Sequence, residues 1–273
     1  MPERIGIIAG NGKFPFLVFD AARAQGYEVV VAAIKEETDP EIEFRAAASV
    51  HWLSLGELSK LIETFKREGV QRAVMAGQVK HRQIFSRIRP DWRLAKLLLS
   101  LTTRNTDSLL GAVAKVLADE GITLENSTRL LEPLLVKPGL ITRRAPSEPE
   151  RKNIEYGRLV ARQLVEHDIG QTVVIAETAC VAVEAMEGTD AMLRRAAGLA
   201  NGRELVLIKV STRRKRMVFD VPVAGPETIA VMRQCGATSL AVDAGRTLLL
   251  DRAEMLANAD ACGISVAGYP PLD

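Results

Sequence analysis

Short apolar runs alternate along this chain with longer stretches whose apolar residues recur at helical spacing. An apolar run of about four to eight residues fits a strand buried on both faces, and a period of about 3.6 fits a helix laid against it. Arg4–Ala9 is the first run and ends at Gly10-Asn11-Gly12. Phe14–Gln25 then carries the helical period and stops at Gly26, because glycine readily takes the left-handed conformation that closes a helix. Glu28–Ala33 and Ser49–Leu53 read as strands, Leu55–Glu68 as a helix closed by Gly69, and Gln71–Ala76 as a strand running into Gly77. This βαβ rhythm predicts an α/β fold whose first domain is Rossmann-like, with a parallel sheet covered on both faces. Helices near Asp91–Leu101 and Asp107–Glu120 follow, before Gly121.

The pattern breaks over Leu130–Pro149, where Pro133, Pro138, Gly139, Pro146 and Pro149 crowd together. That density of helix-breaking residues predicts a linker or long crossing loop. The expected organisation is a Rossmann-like α/β domain over residues 1–129, a proline-rich linker over 130–149 and a second α/β domain over 150–273. In the second domain Glu150–Glu166, Ala191–Ala200, Pro226–Gln234 and Arg252–Ala261 read as helices. Thr172–Ala176, Glu204–Val210, Ser239–Val242, Thr247–Leu250 and Ile264–Ala267 read as strands. Another strand is expected from Val181, turning through Gly188-Thr189 into the helix.

Composition narrows the function. With 273 residues, 47% of them hydrophobic and 26% charged, the chain is globular and can bury a large core. A net charge of +2 and only 4% aromatic residues give neither the field nor the stacking platforms that nucleic acid needs. Cys180, Cys235 and Cys262 are odd in number and widely spaced, and read as buried thiols rather than as a disulfide framework or zinc site. The opening MPERIGIIAG lacks a long apolar core, and no run approaches the roughly 20 apolar residues of a membrane span, so a cytoplasmic protein is expected.

Candidate chemistry sits at the strand-to-helix turns. Gly10, Asn11 and Gly12 open a helix after a strand, where a phosphate can meet free N–H groups. Pro15 stands where a dinucleotide fingerprint needs its third glycine, which counts against a dehydrogenase, and no Walker lysine follows. A plain tight turn is the competing reading. Gly77-Gln78-Val79-Lys80-His81 leaves another strand, and ligands gather at the carboxyl ends of strands in open α/β sheets, so this loop should share an edge with the Gly10 loop. Gln78, Lys80 and His81 can hydrogen-bond a nucleotide or phosphate, although a lone histidine is more often an ordinary surface residue, as His51 and His167 are read to be. In Asn105-Thr106-Asp107-Ser108 the residues are ordinary helix caps or polar contacts at a helix start.

Two segments of the second half carry more. Glu184, Glu187 and Asp190 surround Gly188-Thr189 at a strand-to-helix turn, which suits either a hard cation and polar ligand or a capped helix with solvated acids. The stretch Lys209–Pro222 leaves a strand, passes through Arg213, Arg214, Lys215 and Arg216, and ends at Asp220-Val221-Pro222. Cations beside a carboxylate suit a diphosphate, and a solvated loop or lipid-headgroup patch is the alternative. The motifs G-x-S-x-G, H-E-x-x-H and C-x-x-C are missing, which removes common hydrolase classes.

In this order the pieces resemble the LpxI type of UDP-2,3-diacylglucosamine pyrophosphatase. The resemblance rests on Ile8-Ala9-Gly10-Asn11-Gly12 to Pro15, Ala76-Gly77-Gln78-Val79, Asp107-Ser108-Leu109-Leu110, Asp168-Ile169-Gly170-Gln171, Val183 to Asp190, Asp220-Val221-Pro222 with Gly225, and Ala241-Val242-Asp243-Ala244-Gly245. It implies two α/β domains with the lipid substrate held between them. It also implies Mg²⁺-dependent hydrolysis to UMP and 2,3-diacylglucosamine 1-phosphate in lipid A synthesis. It makes Asp220 the critical aspartate, with Glu187 and Asp190 beside it as the metal neighbourhood. Gly10, Asn11, Gly12, Gln78, Gly188, Thr189 and Lys209 are then the expected substrate contacts. The implied partner is a nucleotide-linked glycolipid, and transient contact with the inner-membrane surface and a homo-oligomer are both compatible with it. The leucine-rich stretches Leu94–Leu101 and Leu130–Val136 are either acyl-chain lining or ordinary core. Arg213–Val218 lacks the family's Gln-Asp pair, Asn105-Thr106-Asp107 stands where the family has G-D-D, and Asn11 replaces a glycine. The alternative these departures support is a divergent or non-catalytic nucleotide-sugar or lipid-binding relative.

Overall fold

The computed structural model describes residues 2–77, 89–101, 106–167, 169–211 and 221–272. The chain divides into two compact units, Met1–Leu131 and Glu132–Asp273.

The first unit is built on β1 (Arg4–Ala9), β2 (Glu28–Ile34), β3 (Ser49–Leu53), β4 (Arg72–Ala76) and β5 (Thr123–Glu125), all parallel, in the order β3-β2-β1-β4-β5. The expected parallel sheet is therefore present. Helix α1 (Phe14–Ala24) packs on β1 and β2. Helices α2 (Leu58–Arg67), α3 (Trp92–Ser100) and α4 (Thr106–Asp119) close over the Val30 and Ala32 face, with Phe65 and Leu117 among the fully buried side chains. Helix α2 starts three residues later than its apolar period suggests. Gly56 and Glu57 first turn back on the Ser54 carbonyl, and the Glu57 carboxylate accepts from the Ser54 N–H at 2.7 Å. β5 is too short to stand out in the sequence. Arg72 fixes it by a two-pronged bond to Glu125 at 2.6 and 2.8 Å.

In the second unit β6 (Gly139–Leu140), β7 (Thr172–Ala176), β8 (Ala179–Val183), β9 (Leu205–Lys209), β11 (Ala237–Asp243) and β13 (Ser265–Tyr269) form one mixed sheet, ordered β6-β13-β11-β9-β7-β8. β9, β11 and β13 are parallel, while β7 runs antiparallel to both β8 and β9. Strand alternation sorts the core. Leu205 and Leu207 face α6 (Thr189–Ala200), α7 (Pro226–Gln234) and α8 (Arg252–Ala261), while Val206 and Ile208 face α5 (Glu148–Glu166). β10 (Val223–Ala224) and β12 (Leu248–Leu249) make a separate parallel pair.

Residues of the proline-rich stretch pack within this second unit. Val136 is buried in its core, β6 pairs with β13, and the Thr142 hydroxyl accepts from the Val266 N–H at 2.8 Å. Ser147 caps α5 by a capping box with Glu150, whose carboxylate is also gripped by Arg144 at 2.7 and 2.8 Å. The three cysteines are free, but none is buried as expected: Cys180 is exposed on β8, which lies at the sheet edge, and Cys235 and Cys262 are half-buried. Among the described residues no helix is long and apolar enough to cross a membrane.

Candidate active site

In the first unit the strand order reverses direction at β1, so the carboxyl ends of β1 and β4 flank a switch point. The Gly10 N–H bonds the Ala76 carbonyl at 2.7 Å. Gly77 has φ of +91°, and a Cβ there would stand 2.6 Å from the Asn11 carbonyl oxygen. Only glycine lets the two loops meet so closely, and the shared edge expected from the sequence is present. Gly10 is buried and Gly12 exposed, so the loop offers its backbone outward only at its tip. The Asn11 amide donates to Glu37 at 3.4 Å. That carboxylate brings negative charge to the loop expected to hold phosphate.

In the second unit the amino end of β7 meets the carboxyl ends of β8 and β9. Thr172 pairs with Lys209, and the Glu184 N–H donates to the Thr172 carbonyl at 2.9 Å. Gly170 explains why Asp168-Ile169-Gly170-Gln171 and the Glu184–Asp190 turn belong together: a Cβ on Gly170 would lie 1.9 Å from the Glu184 carbonyl oxygen. Gly188, at φ +84°, caps α6 without a side chain. Thr189 instead donates its hydroxyl to Glu184 at 2.9 Å and accepts from the Lys209 ammonium at 3.0 Å. Lys209 is only 8% exposed. The other Glu184 carboxylate oxygen, the Gln171 side-chain oxygen and the Thr172 hydroxyl are buried with no partner. A fixed cation and unsatisfied oxygens under a helix start make a polar pocket that a hydrogen-bonding ligand or water would complete.

Of the acids expected to hold metal, Glu187 and Asp190 are described. Glu187 is engaged by Arg195 and by the Ala185 N–H at 3.0 Å, and the Arg195 guanidinium holds its carboxyl below the usual range. Asp190 sits in the first turn of α6; the Cys235 thiol is pushed up chiefly by burial, with Arg194 pulling it down and Asp190 adding to the rise. Among the described residues no group of three or more His, Cys, Asp or Glu side chains is arranged to hold a metal. Asp220, Gln78, Lys80, His81, Asn105, Asp168 and Arg213–Arg216 lie outside the described residues.

On the opposite face of the same sheet Asp243 ends β11. It is 3% exposed, and one carboxylate oxygen accepts from both the N–H of Ser211, at 2.9 Å, and its hydroxyl, at 3.2 Å. Burial pushes the Asp243 carboxyl up, while the two Ser211 bonds and the nearby Arg158 and Arg246 pull it down. Arg158 also lies 5.0 Å over the Tyr269 ring. Asp243 was legible only as part of the A-V-D-A-G motif, because a lone aspartate after a strand carries no chemical signature. Of the leucine-rich stretches, Leu94, Leu97, Leu130, Leu131 and Val136 are core, whereas Leu99 is 83% exposed.

The sequence matches the LpxI N-terminal domain over residues 4–134 and the LpxI C-terminal domain over residues 137–267. It is 32% identical over 279 aligned positions to a protein of Caulobacter vibrioides named UDP-2,3-diacylglucosamine pyrophosphatase LpxI, covering 98% of both chains. Among solved structures it overlaps a biotin carboxylase domain of 2-oxoglutarate carboxylase from Hydrogenobacter thermophilus at 13% identity, covering 73% of this chain and 41% of that one. The TM-score of 0.28 is too low to carry an argument.

Proposed function

The chain belongs to the LpxI family, and from that premise we propose that it hydrolyses the diphosphate of UDP-2,3-diacylglucosamine, yielding UMP and 2,3-diacylglucosamine 1-phosphate for lipid A synthesis. The observation that carries the reading at the level of residues is the buried Lys209–Thr189–Glu184 chain at the start of α6. Burying a lysine costs it hydration, and a diphosphate is a ligand that would repay that cost. In this reading the Lys209 ammonium and the backbone N–H groups at Gly188 and Thr189 hold phosphate oxygens. Asp220 positions the attacking water. Water adds to one phosphorus, the bond from that phosphorus to the bridging oxygen breaks, and the bridging oxygen leaves on the other phosphate. Such a reaction needs charge neutralisation and alignment more than a covalent nucleophile.

Mg²⁺ is the proposed cofactor. It is commonly held by one or two carboxylates together with substrate phosphates rather than by an all-protein cage. The described carboxylates do not form such a cage, and Glu187 is already engaged by Arg195, so the proposal gives Asp220 the leading part and Glu187 and Asp190 a supporting one. Bound there, Mg²⁺ would neutralise diphosphate charge. Two acyl chains keep the substrate in a bilayer, which is the reason to propose transient work at a membrane surface.

Metal dependence is tested by assaying UMP release after chelation. The expected result is loss of turnover with EDTA and recovery with Mg²⁺. Full turnover in chelator would remove the metal from the proposal, and binding of the nucleotide-lipid without turnover under any divalent ion would favour a non-catalytic relative.

A further inference from the structure

We infer that Glu184 is a positioning residue for the diphosphate site: through the Thr189 hydroxyl it holds the Lys209 ammonium at the start of α6. This rests on the reading that Lys209 holds phosphate oxygens. A hydroxyl has a single hydrogen to donate. Thr189 gives it to Glu184 at 2.9 Å, so toward Lys209 the hydroxyl can only accept, which it does at 3.0 Å. Glu184 therefore sets the direction of the hydroxyl, and the hydroxyl anchors one N–H of the ammonium. An ammonium carries three donors, so the anchored lysine still has donors for a ligand.

The fold carries the ammonium past its nearest strand neighbour to reach this point. Lys209 pairs with Thr172 across β9 and β7, and on the other side the Glu184 N–H bonds the Thr172 carbonyl. Val174, Ala182 and Leu207, each two residues from one of these three, pack in the core that includes α6. Strand alternation thus puts Thr172, Glu184 and Lys209 on one face, with Thr172 in the middle. Yet the buried Thr172 hydroxyl has no partner, and the lysine bonds Thr189, the first residue of α6. A cation there opposes the helix dipole, whose positive end is the N-terminus. Helix stability does not favour that placement, whereas an anion shared between the ammonium and the free N–H groups does. Glu184 is itself fixed, since a Cβ on Gly170 would lie 1.9 Å from its carbonyl oxygen. Its second carboxylate oxygen is buried without a partner. A carboxylate serving stability alone gains little from being left half satisfied, because an orphaned buried acceptor is destabilising.

The test measures UMP release from UDP-2,3-diacylglucosamine by Glu184→Ala, Glu184→Gln, Thr189→Val and Lys209→Met, and by Glu184→Ala combined with Lys209→Met. Glu184→Ala and Thr189→Val should each lower kcat/KM about fivefold or more, the scale of one lost hydrogen bond, with a cooperative melt retained. Glu184→Gln keeps an oxygen that can accept from Thr189 and should return to within about twofold of wild type. In the Lys209→Met background Glu184→Ala should change kcat/KM by less than about twofold, because its effect runs through the ammonium; a merely structural role would cost as much there as in the wild-type chain. Wild-type kcat/KM in Glu184→Ala, no recovery in Glu184→Gln, or an undiminished loss in the Lys209→Met background would overturn the inference. Should Glu184→Ala not fold, Thr189→Val decides, alone and with Lys209→Met, by the same criteria. Wild-type kcat/KM in Lys209→Met defeats the underlying reading instead, whatever the Glu184 variants do.

Discussion

Lys209 is the residue where structure and proposed chemistry press hardest on each other. Its ammonium is nearly sealed from solvent and makes a hydrogen bond to Thr189, which Glu184 in turn orients. Replacing it by methionine keeps the apolar stem and removes only the donor. Lys209→Met is expected to lower kcat/KM about 10- to 100-fold, the scale of a charged hydrogen bond of about 1.5–3 kcal/mol, with a cooperative melt retained. Wild-type kcat/KM in that variant would refute the role. Glu150 makes a different prediction, about stability. Burial raises its carboxyl pKa, but Arg144, Thr238 and Ser147 outweigh burial and bring it down to about 2. A depressed carboxyl stabilises the fold above its unfolded value and loses that contribution as pH falls through the folded one. Wild-type stability should therefore drop by about 3 kcal/mol as pH falls from about 4.5 to about 2, whereas Glu150→Gln should lack that step; equal pH profiles by denaturant unfolding would contradict it. At this scale the sequence marked Thr189, Lys209 and the two glycine loops as candidates by their place at strand ends and turns. It could not reveal that Glu187 is held by Arg195, because residues eight positions apart meet only once the turn before α6 has folded.

At the scale of elements, most strands and helices followed the apolar runs, and Thr172–Ala176, Pro226–Gln234 and Arg252–Ala261 have the expected bounds. The β7–β8 hairpin was less legible. Its two-residue turn is Glu177-Thr178, with φ of +48° and +61°, rather than the Asn-Gly that marks such turns in sequence. Both residues occupy the left-handed region at a cost, and the Asn153 side chain helps by accepting from the Thr178 N–H at 2.7 Å. Asn-Gly in place of Glu177-Thr178 should raise unfolding stability by about 1 kcal/mol in urea, and a fall would show that the native side chains supply more than the turn conformation costs. The hairpin turns β7 antiparallel, bringing Thr172 and Gln171 to the same edge as Glu184 and Lys209. The expectation of an α/β second domain was right in class. The mixed direction of its sheet depended on this turn.

At the scale of the molecule, two α/β units and a phosphate-directed chemistry were readable because glycine turns, apolar runs and acidic or basic clusters follow one another along the chain in an order that resembles the LpxI family. The assembly of the polar pocket was not readable. It depends on which strand ends meet and on close approaches such as Gly170 against the Glu184 carbonyl. The central claim is that this chain cleaves a nucleotide diphosphate-lipid with Asp220 positioning the attack. The most direct measurement is UMP release from labelled UDP-2,3-diacylglucosamine by the full chain in Mg²⁺, beside the Asp220→Ala variant. The account predicts release of UMP and 2,3-diacylglucosamine 1-phosphate in equal amounts by the wild-type chain, and at least about a hundredfold less by the variant. Undiminished release by Asp220→Ala, or no release by the wild-type chain, would contradict it.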